Sequence, residues 1–205
     1  MPGDQDREGI VKECPILFSG TMVKAILDGR KSQTRRVAKV LADSVEAYDG
    51  YPGEWSPWKD GERHHSIACP YGVPGDRLWV KEQHEFIISG PHDVLHVLYR
   101  ADMTERDMFD APYTPKINRG RPSIHMPRWA SRLTLEITDV RVQRLQEISI
   151  EDATAEGIEP RYEDGRKIVW PDRIFPALWD SINAKRAPWN SNPFVWAITF
   201  RRVTP

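Results

Sequence analysis

The chain has 205 residues, of which 40% are apolar and 29% are charged, with a formal net charge of -1. This composition excludes a disordered chain, a collagen and a coiled coil, and the length fits a single domain. No stretch approaches the roughly 20 apolar residues that a membrane-spanning helix needs. Two cysteines make no disulfide framework and residues 1–8 lack a signal-peptide pattern, so we expect a cytoplasmic protein.

Prolines and glycines punctuate the chain, with 17 and 13 copies, and predict short elements joined by tight turns. Residues 15–18 are predicted to form a strand. Ser19 is placed to cap a helix that begins near Thr21 and ends at Gly29. Residues 42–75 show few periodic signals and are rich in Gly, Pro and Trp, so they predict a long ordered loop.

Alternating apolar residues predict further strands at residues 77–81, 94–100, 132–142 and 194–202. In the third of these strands the alternation changes phase at Thr138 and Asp139, which predicts a bulge or bend. The alternation from Phe194 to Phe200 is strict and predicts a last strand with one buried face.

Two helices are predicted before the last strand. Ser149 is placed to cap a short helix that stops at Gly157. From Phe175 to Ile182 apolar residues recur at helical spacing, and Pro176 is expected in the first turn of this helix. The order of strands and helices predicts an α+β fold.

We expect one domain of this kind at residues 14–205, preceded by a flexible leader at residues 1–13. Two segments, at about 42–75 and 101–130, are expected to be insertions into the domain. The strands are expected to form a small curled sheet or β-barrel with the helices at its ends.

Basic residues are concentrated in two segments of an otherwise acidic chain. Residues 23–39 hold six basic residues and one acidic residue, for a net charge of +5. Residues 119–144 hold six basic and two acidic residues, for a net charge of +4. The two segments could converge on one polyanion or phosphate site, or they could be ordinary solvated faces.

The run from Gly29 to Arg36 has the densest chemistry, because it places an ammonium, two hydroxyls and three guanidinium groups just past a helix end. Arg30 and Lys31 could simply complement the negative end of the helix dipole. That interpretation leaves Thr34 and the arginines that follow it without a role.

Glu156 is the second unusual residue, because it falls in the last turn of the short helix before Gly157. A negative charge there faces the unfavourable end of the helix dipole. The position predicts either a carboxylate that is aimed at a cationic site or a surface glutamate that is tolerated at small cost.

Several other polar and aromatic residues have open interpretations. His125 could be a base, a phosphate contact or a buried structural histidine. One of the tryptophans in irregular segments, such as Trp55, Trp58 or Trp129, could stack on a base. His64, His65 and Cys69 lack the spacing of a zinc site, so we expect no metal and no cofactor.

Residues 16–36 resemble the opening of ASCH-domain proteins, which belong to the PUA-like superfamily. The turn at Pro74–Asp76 and the strand at Val195–Phe200 are also similar. Longer ASCH-like proteins from phages and prophages have runs similar to those at Cys69–Gly72, Ser123–Pro127 and Leu178–Asn183. This resemblance implies a small β-barrel with flanking helices, often associated with RNA.

The resemblance also implies a chemistry. Small bacterial members of the family are N4-acetylcytidine amidohydrolases that use a lysine, a threonine and a glutamate. These match Lys31, Thr34 and Glu156 here. The expected ligand is a modified nucleoside or RNA, and substrate binding is assigned to Arg30, Ser32, Arg35, Arg36, His125 and Arg128. Ser32 replaces the threonine that is common in the family, and both insertions are much longer than in the small hydrolases.

Amide hydrolysis needs a nucleophile, a base, and positive charge near the developing oxyanion. Lys31 could take the proton of Thr34 only if it is neutral, and burial among arginines lowers a lysine pKa in that direction. Glu156 could orient the ammonium, carry a proton to the leaving amine or activate water. Positions 31 and 34 of a regular strand face opposite sides, so the chain must turn near Ser32 or Gln33.

Three functions therefore compete. The first is an amidohydrolase that acts on N4-acetylcytidine or a related amide, which the lysine, threonine and glutamate favour. The second is a non-catalytic module that binds RNA or nucleotides through the basic segments. The third is a phage accessory protein that acts through protein contacts. The long insertions favour the second and third functions.

Overall fold

The computed structural model describes residues 11–48, 53–89, 94–103 and 121–203. Within these ranges the chain is mostly β-structure with few helices. The helices are α1 (Gly20–Leu27), α2 (Ile150–Ala155) and α3 (Pro171–Asn183). None of the helices in the described ranges combines the length and the apolar character that crossing a membrane requires.

A five-stranded sheet forms the centre of the fold. Its strands are β1 (Glu13–Leu17), β2 (Gln33–Val37), β7 (Arg77–Lys81), β10 (Thr134–Arg144) and β13 (Phe194–Val203). They lie in the order β1-β7-β10-β13-β2, with β1 parallel to β7 and the other neighbours antiparallel. The prediction that strands near 77–81, 132–142 and 194–202 share one sheet is therefore confirmed.

The remaining strands form three small sheets. Their members are β3 (Ser44–Ala47), β4 (Glu54–Lys59), β5 (Glu62–Arg63), β6 (Ile67–Ala68), β8 (His84–Ser89), β9 (Val94–Tyr99), β11 (Arg161–Glu163) and β12 (Arg166–Val169). Strands β3 to β6 make one sheet, and β8–β9 and β11–β12 are hairpins. No sheet in the described ranges closes on itself, so the α+β class is observed while the predicted barrel is not confirmed.

The bulge predicted in β10 is confirmed. The register between β10 and β13 shifts between Ile137 and Asp139. Ile137 lies opposite Phe200, and Val140 lies opposite Ile198, so the extra residue keeps both β10 side chains on the face that packs against α1. Without the bulge the alternation of the strand would turn one of them away from the core.

Two apolar cores lie on opposite faces of β13. One contains the alternating residues of β13 with α1, β1 and β7, and the other joins Val195 to α2 and α3 through Ala153, Phe175 and Trp179. The expectation of one buried face on the last strand is therefore wrong. Val195 and Ala197 are small residues that fit beneath the second helix layer, and the alternation from Phe194 did not reveal that layer.

The predicted loop at residues 42–75 is also wrong, because this segment contains the sheet of β3 to β6. Its strands have two to six residues, too few for a periodic signal, and Pro57 inside β4 is typical of a strand interruption. Trp55 docks the sheet on the main core with its ring edge-on to Trp196 at 4.9 Å.

Helix α3 begins earlier than expected. Pro171 occupies its first turn, so Pro176 lies inside the helix and the prediction for Pro176 is wrong. Both Pro171 and Pro176 could stand in the first turn of α3, and the apolar repeat from Phe175 favoured Pro176. Residues 1–10 and 104–120 lie outside the described ranges, so the leader and the division into domains stay predictions.

Ile198→Ala should destabilise the protein by about 2–5 kcal/mol, because Ile198 is fully buried between the sheet and α1. Ile168→Ala is the matched control, because Ile168 is exposed on β12 and its loss should cost no more than about 0.5 kcal/mol. Urea unfolding measures both variants. Equal destabilisation would contradict the position of the core.

Candidate active site

The backbone brings the residues just past α1 against the end of α2. Helix α1 ends before Gly29, and the amide of Lys31 donates to the carbonyl of Ala25 at 3.0 Å. Lys31 then forms an isolated antiparallel bridge with Glu156, and the amide of Ser32 donates to the carbonyl of Ala155 at 2.8 Å. Two positions that are 125 residues apart are therefore fixed side by side.

Lys31 and Glu156 form a buried ion pair. The distance from Lys31 Nζ to Glu156 Oε2 is 2.6 Å, and the side chains are 0% and 5% exposed. The ammonium also donates to the backbone oxygen of Glu156 at 3.0 Å and to that of Gln33 at 2.8 Å. An ammonium at this position therefore has one acceptor for each of its three hydrogens.

A second layer of polar groups holds Glu156 from the opposite side. Arg35 donates to Asp152 Oδ2 at 2.5 Å, to Gln33 Oε1 at 2.7 Å and to Glu156 Oε1 at 3.3 Å. Gln33 Nε2 donates to Asp152 Oδ1 at 3.1 Å. Arg35 thus links Asp152 of α2 to Glu156, which follows the helix, and both oxygens of Glu156 face cations.

Burial lowers the pKa of Lys31 from its ordinary value, although Glu156 acts to raise it. The neighbouring guanidinium groups of Arg36 and Arg35 add to the lowering. Burial acts to raise the pKa of Asp152, but Arg35 and Arg141 help to bring it below the usual value. The cations are Lys31, Arg35, Arg36 and Arg141, and the carboxylates are Glu156, Asp152 and Asp139, which pairs with Arg141 at 3.2 Å. This leaves one excess positive charge, which suits a developing oxyanion.

A small pocket lies beside this network, at the edge of the sheet formed by β2, which pairs with β13. Its polar lining is Thr34, Arg35, Arg36, Glu156 and Asn183, and its apolar lining comes from α1, β2 and α3. The cavity volume is about 60 Å³. The hydroxyl of Thr34 has no hydrogen-bond partner among the described residues, although the residue is buried.

The structure brings together some of the predicted site residues. Thr34 and Glu156 line the same pocket, and Lys31 contacts Glu156 from behind without lining it. No hydrogen bond joins Lys31 to Thr34 within the described chain, because the ammonium is directed at its three other acceptors. Gln33 and Arg35 point to α2, whereas Thr34 lies opposite Ile198 on the other face of β2.

The predicted substrate-binding residues divide into two groups. Arg35 and Arg36 line the pocket, and Arg36 also donates to the backbone oxygen of Leu17 at 2.6 Å. Arg30 and Ser32 do not line the pocket: the Ser32 amide donates to the carbonyl of Ala155, and Arg30 is paired with Asp28 at 2.8 Å. His125 and Arg128 do not line the pocket either.

His125 and Arg128 lie near β1, at the edge of the sheet opposite β2. Arg128 is bonded to Glu13 of β1 at 2.9 Å, and β1 and β2 are the two outer strands. His125 is exposed in a short 3₁₀ segment at Ser123–His125. The structure therefore does not bring His125 or Arg128 to the site that Lys31 and Glu156 form.

Two network residues were missed at the sequence level. Asp152 lies four positions before Glu156, so the helix spacing placed both carboxylates on one face. Gln33 alternates with Arg35, so the strand spacing gave a comparable signal. Among the described residues no group of three or more His, Cys, Asp or Glu side chains could hold a metal ion.

No family model matches the sequence, and no curated protein matches it. Among solved structures, the chain is similar to an ASCH domain from Lactobacillus crispatus JV V101, with 9% sequence identity and a TM-score of 0.40. The match covers 93% of this chain and 79% of that chain. At this level of similarity no residue role transfers from one chain to the other.

Gly157→Ala should cost more stability than Gly165→Ala. Both glycines have positive φ, +87° and +75°, where a side chain is strained by roughly 1–2 kcal/mol. A Cβ at Gly157 would also lie 3.1 Å from the Cβ of Lys31, whereas one at Gly165 meets nothing within 4 Å. Urea unfolding compares the two variants, and equal losses would contradict tight packing between the α2 end and Lys31.

Lys31→Met should destabilise the fold by about 3–5 kcal/mol, because it leaves the Glu156 carboxylate buried without its closest partner. The double variant Lys31→Met/Glu156→Leu removes both charges and should be more stable than Lys31→Met alone. Urea unfolding of the two single variants and the double variant gives the coupling. Additive losses would show that the two side chains do not act as a pair.

Proposed function

We propose that this protein is an ASCH-type amidohydrolase that removes the acyl group from N4-acetylcytidine or a related N4-acylated cytosine nucleoside. The observation that carries the proposal is the buried Lys31–Glu156 pair, 2.6 Å apart, beside a pocket lined by Thr34, whose hydroxyl has no hydrogen-bond partner among the described residues. The resemblance of residues 16–36 to ASCH-domain proteins supports Lys31 and Thr34, and the resemblance of residues 152–157 supports Glu156.

Thr34 is the nucleophile in this mechanism. Its oxygen attacks the acyl carbon and Glu156, which faces the same pocket, accepts its proton. Catalytic hydrogen bonds often tighten only when substrate binds, so the free hydroxyl of the resting pocket fits this role. Lys31 holds the carboxylate in place from behind. This arrangement revises the expected role of Lys31 from base to positioning residue.

Two guanidinium groups belong to the lining of the pocket in which the oxyanion would develop. Arg35 and Arg36 both line the pocket, and each has a buried Nε–H with no hydrogen-bond partner in the described part of the chain. Donors that are fixed before the reaction stabilise charge as it develops on the acyl oxygen. The excess positive charge of the network has the same effect.

The reaction then proceeds in two steps, formation of an acyl-enzyme ester and its hydrolysis. Collapse of the tetrahedral intermediate breaks the bond between the acyl carbon and N4, and Glu156 returns the proton to the leaving amine. The acyl group is left as an ester on Thr34. Water attacks that ester with the same carboxylate as base, which releases the carboxylic acid and restores the hydroxyl.

Pocket size determines how much of the substrate enters. A volume of about 60 Å³ is far below the roughly 300 Å³ at which ordinary ligand pockets begin. Only the acylamide end of a nucleoside fits such a cavity. Phe175, Leu178 and Ile182 of α3 offer an apolar wall for the acyl methyl group or the edge of the base.

The second candidate is a module that binds RNA or nucleotides without catalysis. It is favoured by the contacts of Glu156, because both carboxylate oxygens are held by cations, as in a structural network. A groove made from the two basic segments has less support. In residues 119–144, Arg128 pairs with Glu13 and Arg132 pairs with Glu82, which offsets their charges.

Purified protein should release cytidine from N4-acetylcytidine, which absorbance follows. Thr34→Ala should lower kcat by at least about a hundredfold, and Thr34→Ser should retain more activity because it keeps the hydroxyl. Thr154→Ala is the matched control, since Thr154 is an exposed α2 threonine that donates to the carbonyl of Ile150. Glu156→Gln should lower kcat comparably.

Wild-type protein that turns over neither N4-acetylcytidine nor other N4-acylcytidines would overturn the hydrolase and leave the binding module. Equal activity of Thr34→Ser and Thr34→Ala would show that Thr34 only packs. Thr34 gives a cleaner test than Lys31, because removing a buried lysine also destabilises the fold.

A further inference from the structure

Several aromatic and basic residues that do not line the pocket lie close together on another surface. The aromatic–basic patch consists of Trp79, Lys81, Phe86, Arg121, Arg128 and Trp129. It lies around the 3₁₀ segments at Ser123–His125 and Arg128–Ala130, next to β7, β8 and the outer strand β1. His125 is exposed beside it.

Trp129 is the most exposed large ring of the patch. It is 63% exposed, while Trp179 and Trp196 are buried in the cores. One of its faces stacks on Phe86, with a ring distance of 5.1 Å and an interplanar angle of 21°. Arg121 places its guanidinium 4.8 Å from the centre of the Phe86 ring. The indole is therefore held in a fixed orientation with much of its apolar surface in contact with water.

Trp79 is a second aromatic residue with cations over its ring. Lys81 Nζ lies 5.2 Å and the Arg128 guanidinium 6.0 Å from its ring centre. Arg128 precedes Trp129 in the chain, and Lys81 Nζ donates to the backbone oxygen of Ile124 at 2.5 Å. The rings of Trp79 and Phe86, each with a cation over it, thus both contact side chains of one short segment, residues 123–130.

Carboxylates offset part of the positive charge of the patch. Glu13 holds Arg128 in a close pair, and Arg128 lowers the pKa of Glu13. Glu85 approaches Arg121 only to 3.9 Å, and the Arg121 side chain is 56% exposed, so this pair is weak. Arg121 is therefore the cation most available to an anionic partner.

We propose that the aromatic–basic patch binds single-stranded nucleic acid, with one base stacked on the open face of Trp129 and a phosphate near Arg121. Every base has a π-face, so a held indole binds bases of any sequence, and adjacent cations neutralise the backbone. The proposal is independent of the hydrolase, because neither Trp129 nor Arg121 lines the pocket.

Fluorescence anisotropy with a labelled 12-nucleotide oligouridylate and a labelled oligothymidylate of equal length tests the proposal. Wild-type protein should bind at 50 mM salt and more weakly at 200 mM. Trp129→Ala should raise the Kd roughly 5- to 150-fold, the range that about 1–3 kcal/mol of stacking gives. Trp129→Phe should restore part of the affinity, because it keeps an aromatic face.

Trp170→Ala is the matched control. Trp170 is 48% exposed and has Lys167 Nζ 4.1 Å from its ring centre, but it lies at the start of α3, outside the patch. Its loss should leave the Kd unchanged. Arg121→Gln should reduce the slope of log K against log salt by about 0.7, as expected when one phosphate contact is lost from a single strand.

Binding to either oligonucleotide that Trp129→Ala weakens and Trp170→Ala does not would support the proposal. Absence of binding at 50 mM salt would overturn it, as would equal losses in the two alanine variants. Conversion of a dimer into a monomer by Trp129→Ala, without any oligonucleotide binding, would also overturn it in favour of a protein interface. Turnover of free N4-acetylcytidine should not change in Trp129→Ala, so a failure here is distinguishable from a failure of the hydrolase.

Discussion

The contact between Lys31 and Glu156 determines the arrangement of the rest of the site. Transferring two charges from water into the protein has a large desolvation cost, which only close geometry and further hydrogen bonds offset. The chain supplies both: a backbone bridge aligns the two residues, and two carbonyl oxygens accept the remaining hydrogens of the ammonium. The positions of α1, α2 and β2 are therefore tied to one ion pair.

Arg35 extends this constraint to a second layer. It bonds to Asp152 in α2 and to Glu156 just after the helix, and so fixes the helix against the strand at two points. Because β2 is an outer strand, side chains from both of its faces reach the pocket beyond its edge. Thr34 and Arg35, which point to opposite faces, can thereby line the same cavity.

Local signals made much of this predictable. Ser19 and Ser149 accept backbone hydrogen bonds from Met22 and Asp152 at the helix starts, as side-chain chemistry alone implies. The phase change in β10 located its bulge. The unusual charge at the end of α2 pointed to a cation, and the family resemblance indicated that Lys31 was its partner.

Features that depend on distant partners were not predictable in the same way. The sheet of β3 to β6 has strands too short for a periodic signal. At the sequence level Trp55 stands in an irregular segment where base stacking is one interpretation, whereas the structure buries it against Trp196. Whether a sheet closes depends on which outer strands meet, and these are far apart in the chain. The position of Arg128 far from the pocket was unpredictable for the same reason. The charge of a residue does not indicate which strand will lie beside it.

The place of β2 in the sheet has a consequence for the order in which the protein is made. Its partner in the sheet is β13, so residues synthesised near position 35 wait for roughly 160 more before they can pair. At about 5–20 residues per second that delay lasts on the order of ten to thirty seconds. During this interval Lys31 and its neighbouring arginines remain hydrated on the nascent chain, since Glu156 and β13 emerge late. The candidate pocket is therefore among the last parts of the molecule to form.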